Sequence, residues 1–163
     1  MKLSKKILFF LCSSAAVCNS VDAAPSLCKP AESVVFSCLT KTSKIISLCL
    51  DERRNEISYR YGRKDSIEIS HTAEENSKNG FFYNHYTRPS VEYSRIGFVT
   101  SGYEYSVFRN YDATEAASPR YGVAVSKDGD EKAQVACGSQ VVDHMSRMIS
   151  KLKCDESSAL GCF

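Results

Sequence analysis

The chain has 163 residues, of which 43% are hydrophobic, 10% aromatic and 25% charged, with a formal net charge of +2. These are the values of one globular domain. They exclude a collagen-like chain, a disordered charged tail and a multi-span membrane protein, since beyond residue 24 no apolar run nears the roughly 18 to 20 residues a spanning helix needs.

The first segment has the layout of a secretory signal peptide: Lys2, Lys5 and Lys6, then the apolar run Ile7 to Cys12, then small residues up to Val21-Asp22-Ala23. Val21 and Ala23 occupy the −3 and −1 positions of an A-x-A-like site, so cleavage is expected after Ala23, leaving residues 24–163 as a single exported domain. Leu11 and Val17, which precede the two signal cysteines, are bulkier than lipid attachment requires. Removing residues 1–23 takes three of the 21 basic and one of the 19 acidic residues and leaves 18 of each. No nucleic-acid footprint and no stable membrane insertion are therefore expected.

The exported part reads as short strands. Ser33 to Leu39 and Lys44 to Leu50 are β-rich runs separated by Thr40-Lys41-Thr42-Ser43, a hairpin with one cysteine on each arm. Glu56 to Tyr61 alternates with Ile57, Tyr59 and Tyr61 on one face, and Ser66 to Ser70 does the same with Ile67 and Ile69. The polar stretch His71 to Gly80 is expected to be the longest loop. Phe81 to Thr87, Val91 to Thr100 and Tyr103 to Asn110 follow as aromatic and β-branched strands, the last two reversing at Ser101-Gly102. Asp112 to Arg120 is a second polar loop. Tyr121 to Ser126 and Glu131 to Cys137 then form a hairpin whose turn signal is Asp128-Gly129.

Near the C-terminus the period changes. Val141, Val142, Met145, Met148, Ile149 and Leu152 fall at i, i+1, i+4, i+7, i+8 and i+11, which predicts an amphipathic α-helix over about 140–153. The expected fold is mainly β: an antiparallel sandwich or open barrel with one C-terminal α-helix, stapled by disulfides.

Six cysteines remain after cleavage: Cys28, Cys38, Cys49, Cys137, Cys154 and Cys162. An even number in an exported chain reads as structural disulfides, and six allow 15 pairings that spacing does not resolve. Cys154 and Cys162 could close a short C-terminal loop, and Cys28 could tie down the N-terminus. With no C-x-x-C, and with His71, His85 and His144 dispersed, neither a metal site nor any other cofactor is expected.

No catalytic constellation stands out: there is no G-x-S-x-G, H-E-x-x-H or phosphate-binding glycine loop. Glu74-Glu75 reads as a solvated pair, and Asp128 to Glu131 as a turn without the ligand spacing of a calcium loop. His85, among aromatic residues, has no nucleophile beside it in sequence. The chain is therefore expected not to be an enzyme.

The informative stretch is Gly97 to Asp112. Tyr103, Tyr105, Arg109 and Tyr111 take alternate positions of one strand, sharing a face, with Ser101-Gly102 at its mouth. Three tyrosines and an arginine have the composition of a protein-binding hot spot; the alternative is a face that is partly core, with Ser-Gly only a turn.

Ser101-Gly102-Tyr103-Glu104-Tyr105 resembles the S-G-x-x-Y loop motif of bacterial periplasmic lysozyme inhibitors, small exported β proteins that insert such loops into the lysozyme cleft. That resemblance implies that Ser101 contacts the catalytic carboxylates, Gly102 permits the turn and Tyr105 supports the loop. The family's second motif, Y-x-x-x-K-G, has no counterpart here, Tyr121 being followed by Gly-Val-Ala-Val. Cys28-x9-Cys38-x10-Cys49 with Tyr59-Arg60-Tyr61-Gly62 also looks like a set of small exported proteins of Gram-negative bacteria. The expectation is a periplasmic or secreted protein whose partner is another protein, a lysozyme or other cell-wall hydrolase. Ser101, Gly102, Tyr103, Tyr105, Arg109 and Tyr111 would form the interface, with Arg109 pairing to a carboxylate of the partner's cleft. Alternatives are an immunity or accessory protein for a delivered toxin, a secreted factor that contacts host molecules, and an undetected hydrolase. The oligomeric state is not written in the sequence.

Overall fold

The computed structural model describes residues 24–74, 77 and 80–163. The signal peptide expected at residues 1–23, and Glu75 of the acidic pair, lie outside the described residues. Among them the chain forms ten strands: β1 (Ser33–Thr40), β2 (Ile45–Asp51), β3 (Glu56–Arg63), β4 (Ser66–Glu74), β5 (Phe82–Arg88), β6 (Val91–Thr100), β7 (Tyr103–Asp112), β8 (Arg120–Lys127), β9 (Asp130–Asp143) and β10 (Lys153–Cys154). One 3-10 helix, Met145–Lys151, lies between β9 and β10.

All ten strands belong to one sheet in the order β10-β5-β6-β7-β8-β9-β1-β2-β3-β4. Two antiparallel meanders, β1 to β4 and β5 to β9, are joined where β9 pairs with β1, and β10 adds parallel to β5. The sheet curls into an open half-barrel. Its curl brings Tyr59 of β3 to 5.0 Å, ring to ring, from Phe98 of β6, and stacks His71 of β4 on the same ring at 4.6 Å. Phe36, Ile46, Leu48, Ile57, Tyr59, Phe98 and Val107 are at most 1% exposed. Burial of each such side chain stabilises the fold by about 1.5 to 3 kcal/mol.

The alternating strands end where the chain supplies turn residues. Thr100 pairs with Tyr103 and Lys127 with Asp130, so both turns are two-residue loops. Ser101 and Gly102 have φ of 52° and 75°, and Asp128 and Gly129 have 53° and 84°. Positive φ at both central positions is the hairpin geometry that matches strand twist.

Among the described residues three disulfides form: Cys28–Cys49, Cys38–Cys137 and Cys154–Cys162. The first fastens the N-terminal segment across the outside of β1 to β3. There the Leu27 N–H donates to Ser47 Oγ at 3.0 Å, and Ser37 Oγ donates to the Pro25 carbonyl at 2.6 Å. Arg60 meets Glu32 bidentately, Nη1 to Oε2 at 2.6 Å and Nη2 to Oε1 at 2.8 Å, with both side chains less than a tenth exposed. At the other end of the chain, Cys154–Cys162 closes a loop along the edge of β5. The His85 N–H donates to the Gly161 carbonyl, and the Phe163 N–H donates to the His85 carbonyl.

Two expectations are corrected. Residues 140–153 do not form an α-helix: β9 runs on through Asp143, pairing Val142 with Ser37 and Asp143 with Phe36, and only Met145–Lys151 is helical, as 3-10. Val141 and Val142 suit a strand, and β1 offers them a partner. His144, at the start of the helix, makes no side-chain cap and no acid occupies the first turn, so little favours an earlier start. Met145 and Met148 still face the core. The second correction concerns His71 to Gly80, of which His71 to Glu74 continue β4 because they pair with Tyr59 to Glu56. Of the two expected architectures, the open barrel is the closer description, since the strands make one hydrogen-bonded order and not two facing sheets.

Candidate functional site: the β6–β7 hairpin

β6 and β7 pair without interruption from Val91↔Asp112 to Thr100↔Tyr103, so the Ser101-Gly102 turn stands at the end of a long, regular ribbon. Both tip residues are exposed. A Cβ built on Gly102 would meet nothing within 4 Å, so there is open space beside that residue of the turn. Val99, one residue before Thr100, is 53% exposed on the face opposite its neighbour Phe98.

Behind the tip the hairpin is braced. Tyr105 stacks on Phe98 at 5.1 Å with 4° between the rings, and lies 6.1 Å from Tyr59. Its ring belongs to the inner packing and does not face outward. Tyr103 is half-buried, with Lys127 Nζ 5.2 Å from its ring centre, a cation–π contact from the neighbouring strand. The β7–β8 register, Glu104↔Ser126, brings the second tip, Asp128-Gly129, to the same end of the sheet.

Arg109 and Tyr111 share the inner face with Tyr105 but lie towards the far end of the ribbon. Eight residues separate Ser101 from Arg109, about 26 Å along a strand. Arg109 is already engaged: Nη1 lies 2.5 Å from Glu92 Oε2 and Nε 3.4 Å from Asp143 Oδ2. Burial disfavours its charge, but contacts with Glu92 and Tyr121 outweigh burial and hold the guanidinium above its ordinary value. A cavity of about 220 Å³ opens here between Glu92, Ser94, Arg109, Asp143, Met145 and Ser146. The structure therefore brings Ser101, Gly102 and Tyr103 together, with Tyr105 as support, and places Arg109 and Tyr111 elsewhere.

His85 Nε2 is 3.7 Å from Glu92 Oε1, beyond hydrogen-bonding reach. Among the described residues one group has metal-ligand proximity, Cys28, Glu32 and Cys49. Its two sulfurs are joined to each other, so neither offers a thiolate. Also among the described residues, no helix is long and apolar enough to cross a membrane. Sequence reasoning passed over Val99, although its alternation with Phe98 next to a turn marks it as an outward apolar residue. Comparison with protein-family models, curated proteins and solved structures finds no match to this chain.

Proposed function

We propose that this is an exported protein that binds another protein through the tip of the β6–β7 hairpin, and that the partner is a lysozyme or similar cell-wall hydrolase. The tip enters the partner's cleft and excludes substrate, a steric mechanism that needs no catalytic residue and no cofactor. Ser101 and Gly102 make the leading contact, Tyr103 and Val99 add area beside it, and Tyr105 positions the ribbon. Arg109 and Tyr111 are left out of this interface because of their distance and, for Arg109, its internal carboxylate partners.

The observation that carries the reading is a narrow tip standing free of the fold on a stiff base. A two-residue turn at the end of paired strands loses little conformational entropy on docking, so contact energy is retained as affinity. The S-G-x-x-Y resemblance supports the choice of partner. Three disulfides favour an oxidising compartment, the periplasm or the extracellular medium.

The test is lysis of bacterial cell walls by lysozymes of several structural types, with and without the oxidised protein in stoichiometric excess. Inhibition of one type is expected, together with its loss in Ser101→Ala/Tyr103→Ala at unchanged thermal stability. Equal inhibition by the double variant would refute the tip, and no inhibition of any type would refute the hydrolase.

A further inference from the structure

On the outer face of β7, β8 and β9 lies a cavity of about 380 Å³. The strand register sets its floor: Phe108, Gly122 and Ala136 are aligned across the three strands, on the face opposite Val107 and Val123. Gly122 is required here. A Cβ at that position would meet the Phe108 ring at 2.9 Å and the Val135 carbonyl at 2.4 Å, so its absence lets the aromatic ring lie across β8.

One wall is made by a deformation of β9. From Val142 to Ser139 the strand takes three steps where β1 takes two, Ser37 to Leu39, and from Ser139 to Cys137 it takes two where β1 takes one. Gln140, within this bulged stretch, has φ of 50°, the one non-glycine residue inside a described strand with positive φ; the other five sit in turns. Backbone held in a rarely populated region, at a bulge beside a cavity, is a recurrent mark of a binding site. The bulge also leaves Val141 38% exposed at the cavity wall.

The polar lining says what would fit. Asn110 contributes to the wall, and its Oδ1 is buried without a hydrogen-bond donor in the protein. The last torsion of an asparagine is broad, so a donor in the cavity can draw that oxygen towards it at little cost. Gln134 supplies a second amide. Arg120, the only charged residue of the lining among the described residues, is paired with Glu115 at 2.8 Å, so the lining offers an ion no unpaired charge. β7, β8 and β9 are each paired on both sides, so no free strand edge is available to an extended peptide.

We propose that this cavity binds a neutral saccharide of one to three rings. The apolar face of the ring lies against Val141 and Ala136, above the buried Phe108 ring, and its hydroxyl or acetamido N–H groups donate to Asn110 and Gln134. A volume of this size and a lining of flat amides beside an apolar floor suit such a ligand. The site is separate from the hairpin tip and does not depend on the function proposed for it.

The test is NMR titration of the oxidised protein with glucose, N-acetylglucosamine, maltotriose and chitotriose. The expected result is saturable amide shifts confined to residues 108–110, 120 and 134–141 with at least one of the four. Acetamido and hydroxyl-only sugars separate whether an amide N–H is the recognised donor. Ala136→Trp, at an exposed position, would fill the cavity and weaken binding more than tenfold. Asn110→Leu, which removes the orphaned oxygen, would weaken it about fivefold while keeping a dispersed spectrum. Absence of saturable shifts with all four sugars, shifts located only at the hairpin tip, or undiminished binding by both variants would overturn the proposal.

Discussion

Replacing Glu32 by Gln isolates the most buried ion pair among the described residues. The carboxylate faces the Arg60 guanidinium in a two-pronged contact at 2.6 and 2.8 Å, and also accepts the Lys29 N–H at 2.7 Å. In Glu32→Gln the side chain keeps its shape but not its charge. The guanidinium is then left out of water with the Leu27 carbonyl at 3.3 Å and a neutral amide. Removing one partner of a buried pair costs about 3 to 5 kcal/mol, because the remaining charge has lost its water without compensation. For a chain of this length each kcal/mol moves the melting temperature by roughly 3 °C, so a fall of about 10 °C is expected. The paired replacement Glu32→Leu/Arg60→Met removes both charges and should lie within about 1 kcal/mol of the parent.

The same pair makes stability depend on pH. Burial alone would raise the Glu32 carboxyl, but the hydrogen bonds from Arg60 and from the Lys29 N–H, with the Arg60 charge, outweigh it and hold the group below its ordinary value of 4.5. The unfolded chain therefore takes up this proton first on acidification. The stabilisation is complete above pH 4.5 and is lost as the pH falls through the lowered folded-state value. Urea midpoints measured with disulfides intact from neutral pH to pH 3 should converge, parent falling towards Glu32→Gln. A cost for Glu32→Gln below about 1 kcal/mol, the scale of an exposed pair, would refute this account. So would a constant gap across the pH range.

Two further substitutions follow from the geometry. Gly62 has φ of 144°, and a Cβ there would sit 2.4 Å from the Ser66 carbonyl oxygen and 2.9 Å from the Glu68 nitrogen, both backbone. Gly62→Ala should cost about 2 to 3 kcal/mol in urea unfolding, and a cost near zero would mean that the β3–β4 turn shifts freely. Cys38–Cys137 links residues 99 apart and Cys154–Cys162 residues 8 apart, so chain-entropy arguments assign roughly 4.7 and 2.5 kcal/mol to them. Double alanine variants should preserve that order, and the Cys154/Cys162 variant should also speed hydrogen exchange at the His85 amide, whose acceptor is the Gly161 carbonyl. Reversal of the order would show that native packing and not loop length decides.

How much of this was legible depended on how local the determinant is. The strands and both two-residue turns are written in period-two alternation and in Ser-Gly and Asp-Gly, signals complete within a few residues. The closure of Cys154 on Cys162 is local in the same sense. The C-terminal helix differs from the expectation because Met145 and Met148 face the core from a short 3-10 turn, and Leu152 from the extended residue after it, much as all three would in an α-helix, so their spacing does not separate the two. What separates them is the pairing of Val142 with Ser37, a contact more than a hundred residues distant in the chain. The shared face of Tyr103, Tyr105, Arg109 and Tyr111 was legible from alternation. That this face is concave was not, because concavity comes from the curl of the whole sheet.

That distinction bears on the S-G-x-x-Y segment. Within five residues it joins an exposed turn to a tyrosine stacked on Phe98, and the two ends have different environments. Tyr105 faces the same packing as Tyr59 and His71, so the base of the hairpin is held by β3 and β4, strands that make no hydrogen bond to it. A free tip can recognise a cleft only if its base does not give way, and here the curl of the sheet supplies the stiffness. Under the proposed function, truncating Tyr105 would therefore act on binding through the position of the tip, and truncating Ser101 through contact itself. A hairpin with the same five residues on a flat sheet would have the turn without the brace.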